Sequence, residues 1–88
     1  MHALVFRITI HNREEADKLL NEQFVPGMRQ APGFVTGYWV EIPPNTGTSV
    51  IVFESEETAN AVAAGAPRPE TDAFTVDSFA IGKVVAHA

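Results

Sequence analysis

The sequence predicts an α+β fold in which two helices cover one face of a four-stranded antiparallel sheet. Three observations support this prediction: four segments have strand character, two have helical spacing behind an N-terminal cap, and their order is strand, helix, strand, strand, helix, strand. That order is the ferredoxin-like split βαβ arrangement. A chain of 88 residues is expected to form one domain, spanning residues 1–88.

The first strand is predicted over Ala3–Ile10, where apolar and other residues alternate. One face is apolar throughout and should pack on the helices; it carries Leu4, Phe6, Ile8 and Ile10. The opposite face is mixed and carries Val5, Arg7, Thr9 and His11. A mixed face of this kind is expected to line a cavity or to meet a partner.

The first helix is predicted to begin at Asn12, a favoured N-cap residue, with Glu15 placed as in a capping box. Apolar residues then recur at helical spacing as far as Phe24. Pro26 interrupts this pattern, so the helix either kinks and continues to about Gln30 or ends near Phe24 and restarts as a short turn. We favour the kink, because Met28 then follows Phe24 on the buried side.

The two middle strands are predicted to form an antiparallel hairpin. Pro32 and Gly33 end the helix and make a turn, and Phe34–Ile42 is rich in aromatic and β-branched residues. A short loop beginning at Pro43 separates this strand from the next, Thr48–Glu54. The short connection places the two strands side by side.

The last third of the chain is predicted to form a second helix and a fourth strand. Ser55 caps the helix, which ends near Gly65, and the prolines at positions 67 and 69 keep the following segment out of helix. The fourth strand is predicted over Phe74–Ile81, and Gly82 is expected to break it. We expect the following segment, Lys83–Ala86, to extend and to add to a sheet edge of a neighbouring subunit.

With both helices on one face, the other face of the sheet is predicted to be open and apolar. Its expected members are Val35, Trp39, Val50, Val52 and Phe79. An apolar face of this size is not stable in water on a small monomer. The sequence therefore predicts a homodimer formed through this face.

Composition excludes several classes of function. The net charge is −5, and the six basic residues are scattered along the chain, which argues against a nucleic-acid or anionic membrane surface. There is no cysteine, and the three histidines at positions 2, 11 and 87 lack metal-ligand spacing, so no metal site is predicted. The N-terminal apolar run stops at Arg7, too short for a signal peptide or a membrane span, and a cytoplasmic location is expected.

Three stretches of the chain resemble the dimeric α/β-barrel superfamily, in particular its antibiotic biosynthesis monooxygenase-like small proteins. They are the first strand, the turn and strand beginning Ala31-Pro-Gly-Phe-Val-Thr-Gly, and the strand-to-helix junction Val50-Ile-Val-Phe-Glu-Ser-Glu-Glu-Thr-Ala. The resemblance covers nearly the whole chain. It implies that two four-stranded sheets pair into a dimeric α/β barrel, and that the protein is an enzyme of the cofactor-independent monooxygenase kind.

The superfamily also includes haem-degrading enzymes, which this sequence resembles least. Where that branch has a tryptophan before the second helix, this chain has Phe53, and residues 59–69 contain no histidine to ligate haem iron. We therefore expect no cofactor.

The candidate site follows from the side chains expected inside the barrel. We predict two catalytic residues: His11 as a base, because a histidine can titrate near neutral pH, and Arg7 as a clamp for the substrate. Expected substrate-binding residues are Trp39, as a stacking surface, with Gly37, Thr9, Glu41 and Asp77. The alternatives are that His11 only ends its strand, that Trp39 only packs, and that Arg7 only pairs with a carboxylate across the sheet.

Two functions remain open on this reasoning. One is a cofactor-independent monooxygenase-like enzyme that oxidises a planar aromatic small molecule in the barrel cavity. The other is a non-catalytic dimer that binds a ligand or another protein. The fold serves both, so the fold alone does not decide between them.

Overall fold

The computed structural model describes residues 1–65 and 71–88 and contains one four-stranded sheet. Its strands are β1 (His2–Ile10), β2 (Phe34–Ile42), β3 (Thr46–Phe53) and β4 (Phe74–Lys83), in the spatial order β2-β3-β1-β4, with every neighbouring pair antiparallel. This is the predicted βαββαβ fold. The prediction that prolines keep the segment after the second helix out of helix concerns positions 67 and 69, which are outside the described residues.

The first helical segment is continuous across the proline, as predicted. It consists of α1 (Arg13–Leu19), a π-helical turn (Leu20–Phe24) and α2 (Val25–Arg29). Asn12 caps α1 by accepting a hydrogen bond from the backbone N–H of Glu15 at 3.1 Å. The π turn directly precedes Pro26, which lacks an N–H and would crowd a regular α-helix.

The second helix, α3 (Glu56–Gly65), packs directly on the sheet. Ser55 caps it, since its Oγ accepts the N–H of Thr58 at 3.2 Å. Ala59 is fully buried against a small core of large side chains from β1 and β3: Leu4, Ile51 and Phe53. Gly33 makes the turn before β2 with a φ of 78°, and a Cβ there would lie 2.9 Å from the Thr58 side chain.

A β-bulge near the start of β2 decides which way its side chains point. Phe34 lies opposite Phe53, whereas Thr36 lies opposite Val52, so Val35 is an extra residue with no partner. From this point the alternation is reversed relative to Phe34. Trp39 therefore lies on the helix-covered face, and Tyr38 lies on the open face with 64% of its surface exposed.

The open face consequently differs from the predicted one. Trp39 and Phe79 lie on the helix side, where Phe79 stacks on Phe6 with the ring centroids 6.5 Å apart. The half-buried Val50 and Val52 do lie on the open face, as predicted. Four exposed apolar residues that we did not predict there lie on the same face: Val5, Tyr38, Val40 and Ile42.

The fourth strand runs further than predicted, because Gly82 does not break it. Gly82 pairs with Ala3 and Lys83 pairs with His2, and the only glycine with positive φ in the described residues is Gly33. The N–H of Val84 then donates to the carbonyl of Met1 at 3.0 Å. Lys83 is thus used within its own sheet, and only the tail from Val85 onward is left for a neighbouring subunit.

Within residues 1–65 and 71–88, the helices are all too short or too polar to span a lipid bilayer.

Candidate functional site

A cavity with a volume of about 540 Å³ lies between the sheet and the first helical segment. The sheet contributes a floor made mostly of side chains that face the helices, namely Leu4, Phe6, Ile8, Ile10, Trp39, Glu41, Ser49, Phe74, Val76 and Phe79, and it also includes Gly47, Val40 and Thr48. The helices contribute Ala16, Asp17, Leu20, Phe24, Met28 and Ala63. The lining is mainly apolar, and exposed Val76 and Phe79 leave it partly open on the β4 side.

α3 packs against the sheet, whereas the cavity lies between the sheet and the first helical segment. Contacts at both ends of this segment connect it to the sheet. Phe24 of the π turn meets Phe74 edge-on, with the ring centroids 6.0 Å apart. At the other end Arg13 forms an ion pair with Glu41 and donates a hydrogen bond of 2.9 Å to the carbonyl of Pro44. Between these two contacts, side chains of the helix and the sheet do not fill the space.

Trp39 forms one wall of the cavity, and Gly37 determines where its ring lies. A Cβ built on Gly37 would be 2.9 Å from Cη2 and 3.0 Å from Cζ3 of the indole. The ring therefore folds back over the glycine. The sequence predicts Gly37 as a substrate-binding residue, but the space above it is occupied by the indole itself.

Ser49 is the buried polar residue on the cavity floor. It lies in register with Trp39 on one side and Phe6 on the other, and only 4% of its surface is exposed. A hydroxyl can both donate and accept a hydrogen bond. Ser49 is thus placed to hold a polar atom of a molecule that otherwise contacts apolar side chains.

The site residues expected from the sequence are divided between the two faces of the sheet. Trp39 and Glu41 line the cavity, and Gly37 lies beneath the indole. On the opposite, open face lie Arg7, Thr9, His11 and Asp77. The expectation that all seven share one site is therefore wrong, and the reason is the bulge, which reverses β2 but leaves β1 unchanged.

The polar residues of the open face bond to one another across β1 and β4. Thr9 Oγ1 donates to Asp77 Oδ2 at 2.6 Å, and His11 Nε2 shares a hydrogen bond of 2.7 Å with Thr75 Oγ1. Both pairs are exposed in the single chain. Neither pair is the one that the alternative interpretation named, which joins Arg7 to a carboxylate across the sheet.

Sequence reasoning missed the cavity itself, since we expected a cavity between two sheets of a barrel. The alternation of β1 did identify Leu4, Phe6, Ile8 and Ile10 as facing the helices. The position of Ser49 could have been predicted, because residues two apart in a strand lie on the same face and Ser49 alternates with the buried Ile51 and Phe53 in β3.

The cavity lies within a chain whose fold matches solved structures of known enzymes. SnoaB from Streptomyces nogalater, a cofactor-independent oxygenase, superposes with a TM-score of 0.74 at 14% identity, covering 98% of this chain and 94% of that one. MhuD from Mycobacterium tuberculosis, a haem-degrader solved with two haems bound in its active site, superposes with a TM-score of 0.60 at 21% identity, covering 97% and 98%. Neither a protein-family model nor a curated protein sequence matches the chain.

The described lining of this cavity does not fit haem. It contains no histidine, cysteine or tyrosine, and the thioether of Met28 is its one common type of haem-iron ligand. It also contains no lysine, arginine or histidine to pair with the two propionates, while Asp17 and Glu41 would repel them.

The architecture, however, is shared in full. The superpositions cover 98% and 97% of this chain and 94% and 98% of SnoaB and MhuD, so the likeness extends over almost the whole length. The chain therefore shares the fold of SnoaB and MhuD.

Proposed function

We propose that the chain is a cofactor-independent monooxygenase-like enzyme that binds a planar aromatic small molecule between the sheet and the first helical segment. The observation that carries this proposal is the apolar cavity of about 540 Å³, walled by Trp39 and floored by the buried hydroxyl of Ser49. Such a volume, with few polar groups, is typical of small-molecule sites. SnoaB and MhuD, with the same fold, are an oxygenase and a binder of planar haem.

A cofactor-free oxidation limits the class of substrate. The substrate itself must supply the electrons that reduce O₂, so it must be an electron-rich carbon acid or phenol that loses a proton. Asp17 is the candidate proton acceptor, because it lines the cavity, whereas the carboxylate of Glu41 is paired with Arg13. Ser49 would hold the hydroxyl or carbonyl oxygen of the substrate, and Trp39 would stack on the plane of its rings.

Anthrone is a suitable test substrate, since it has three fused rings and an acidic methylene group. One anthrone and one O₂ would give one anthraquinone and one water, so that one oxygen atom enters the product and the other leaves as water. We expect the protein to accelerate O₂ consumption above the spontaneous rate and to place one labelled atom from ¹⁸O₂ in the quinone. Ser49→Ala should lower the rate, whereas Ser78→Ala, a serine that does not line the cavity, should not. A rate equal to that without protein would contradict catalysis on this substrate.

The alternative, a non-catalytic ligand-binding module, is favoured by one specific observation. His11 and Arg7, the residues expected to perform chemistry, lie on the face of the sheet away from the cavity. A planar compound that quenches Trp39 fluorescence without any protein-dependent O₂ consumption would support this function instead.

We further propose that the chain forms a homodimer through the open face. That face exposes 64% of Tyr38 and 52% of Val40 next to the half-buried Val50 and Val52. Removing apolar area from water contributes about 25 cal/mol per Å² before association costs are subtracted. Sedimentation should therefore show a dimer at micromolar concentration.

A charge at the centre of the open face tests the dimer directly. We expect Val50→Glu to give a folded monomer or an unfolded chain, because the buried carboxylate would have no partner. Asn60→Glu adds the same charge to the exposed side of α3 and should remain dimeric. A folded wild-type monomer at micromolar concentration would refute the proposed dimer.

A further inference from the structure

We propose that the cavity selects planar ligands by charge, binding uncharged and cationic molecules and rejecting anionic ones. This inference rests on the proposed ligand-binding function of the cavity and narrows its substrate class. It depends on which charged groups line the cavity and on how those groups are already paired.

The described lining of the cavity offers no cationic partner to an anion. Among the residues that the structure describes there, none is lysine, arginine or histidine. A carboxylate or sulfonate entering the site would lose its hydration without gaining a cationic partner, which is among the most unfavourable transfers in proteins. A neutral carbonyl or hydroxyl loses much less hydration, and the hydroxyl of Ser49 is available on the floor to bond to it.

The ionisable groups of the lining add repulsion. They are two carboxylates, Asp17 on α1 and Glu41 on β2. The nearest cation shown is Arg13, and it is already used, because it pairs with Glu41 and donates to the carbonyl of Pro44. Asp17 has no ion-pair partner among the described residues, so these three side chains together carry a net negative charge.

The charge of the whole chain acts in the same direction over a longer range. A net charge of −5 lowers the local concentration of anions around the protein and raises that of cations. This effect is screened by salt, whereas the lack of a cationic partner inside the cavity is not. The preference against anions should therefore weaken as salt increases, but it should persist.

Three matched probes test the inference: 9-anthracenemethanol, which is neutral, 9-(aminomethyl)anthracene, which is cationic, and anthracene-9-carboxylate, which is anionic. They share one planar ring system and are followed by their own fluorescence and by that of Trp39. We expect the neutral and cationic probes to bind at least about tenfold more tightly than the carboxylate.

Two variants locate the source of the preference. Glu41→Gln removes a carboxylate and releases Arg13, so it should raise the affinity for the carboxylate, relative to that for the neutral probe, at least about threefold. Glu57→Gln changes the net charge equally, but Glu57 is on α3 and does not line the cavity, so it should leave the ratio of affinities unchanged.

The outcomes separate this inference from the function on which it rests. If all three probes bind equally, or if the carboxylate binds best, selection by charge is refuted while ligand binding stands. If the two variants change the ratio equally, the selectivity belongs to the overall charge and not to the cavity. If none of the probes changes either fluorescence signal, the proposed binding of planar ligands fails and the charge selection fails with it.

Discussion

Gly37→Ala is the most informative single substitution, because the structure gives the direction and the size of its effect. The new Cβ would lie 2.9 and 3.0 Å from two atoms of the Trp39 indole, whereas ordinary contacts begin at 3.4 Å. The ring must therefore retreat by about half an ångström or rotate into the cavity. Overpacking of this kind typically costs roughly 1–3 kcal/mol of unfolding free energy.

The same substitution also raises the free energy of unfolding through the backbone conformation, but by a smaller amount. Replacing glycine by alanine in regular structure lowers the entropy of the unfolded chain and stabilises by about 0.4–1 kcal/mol. The net expectation for Gly37→Ala is thus a loss of stability. In a domain of this size each kcal/mol lowers Tm by about 4–8 °C.

Gly27→Ala is the matched control. Gly27 lies in α2, and a Cβ there would meet nothing within 4 Å, so only the stabilising conformational effect should remain. Both variants should be melted at one protein concentration, because association shifts Tm. Trp39 emission should change in Gly37→Ala and stay constant in Gly27→Ala. If Gly37→Ala is as stable as Gly27→Ala and emits like wild type, the indole does not lie over Gly37 and the described cavity wall is wrong.

Two further substitutions and one truncation test the fold around the cavity. Leu4→Ala removes a side chain that is 1% exposed and should cost about 2–5 kcal/mol in denaturant unfolding; a loss under 1 kcal/mol would show that the core is not centred there. Ser55→Ala removes the cap of α3 and should cost about 1 kcal/mol, with Ser78→Ala, which caps no helix, as its control. Removing the tail after Val84, including Val85 with 90% exposure, should leave the Tm of a monomeric variant unchanged; a lower dimer affinity in the wild-type background would show that the tail contacts the neighbouring subunit.

Much of the fold could be predicted from the sequence, because its signals are local. The alternation of β1 identified the residues that face the helices, and the caps Asn12 and Ser55 marked both helix starts. The bounds of β2, Phe34–Ile42, agree with the structure, and the helix continues across Pro26 as predicted. Each of these features depends on a few neighbouring residues and on backbone chemistry that does not require the rest of the molecule.

The face on which Trp39 lies was decided only by the tertiary structure. β2 has large apolar residues on both of its faces, so its sequence pattern does not show which face packs on the helices. The bulge at Val35 decides this. Because of the bulge, Phe34 and Trp39 lie on the same face although an odd number of residues separates them. Phe34 packs on Phe53, with ring centroids 6.3 Å apart, and Trp39 packs against the same core. The cavity has the same kind of origin: it depends on how far α1 stands from the sheet, which contacts between residues distant in sequence determine, namely Phe24 with Phe74 and Arg13 with Glu41.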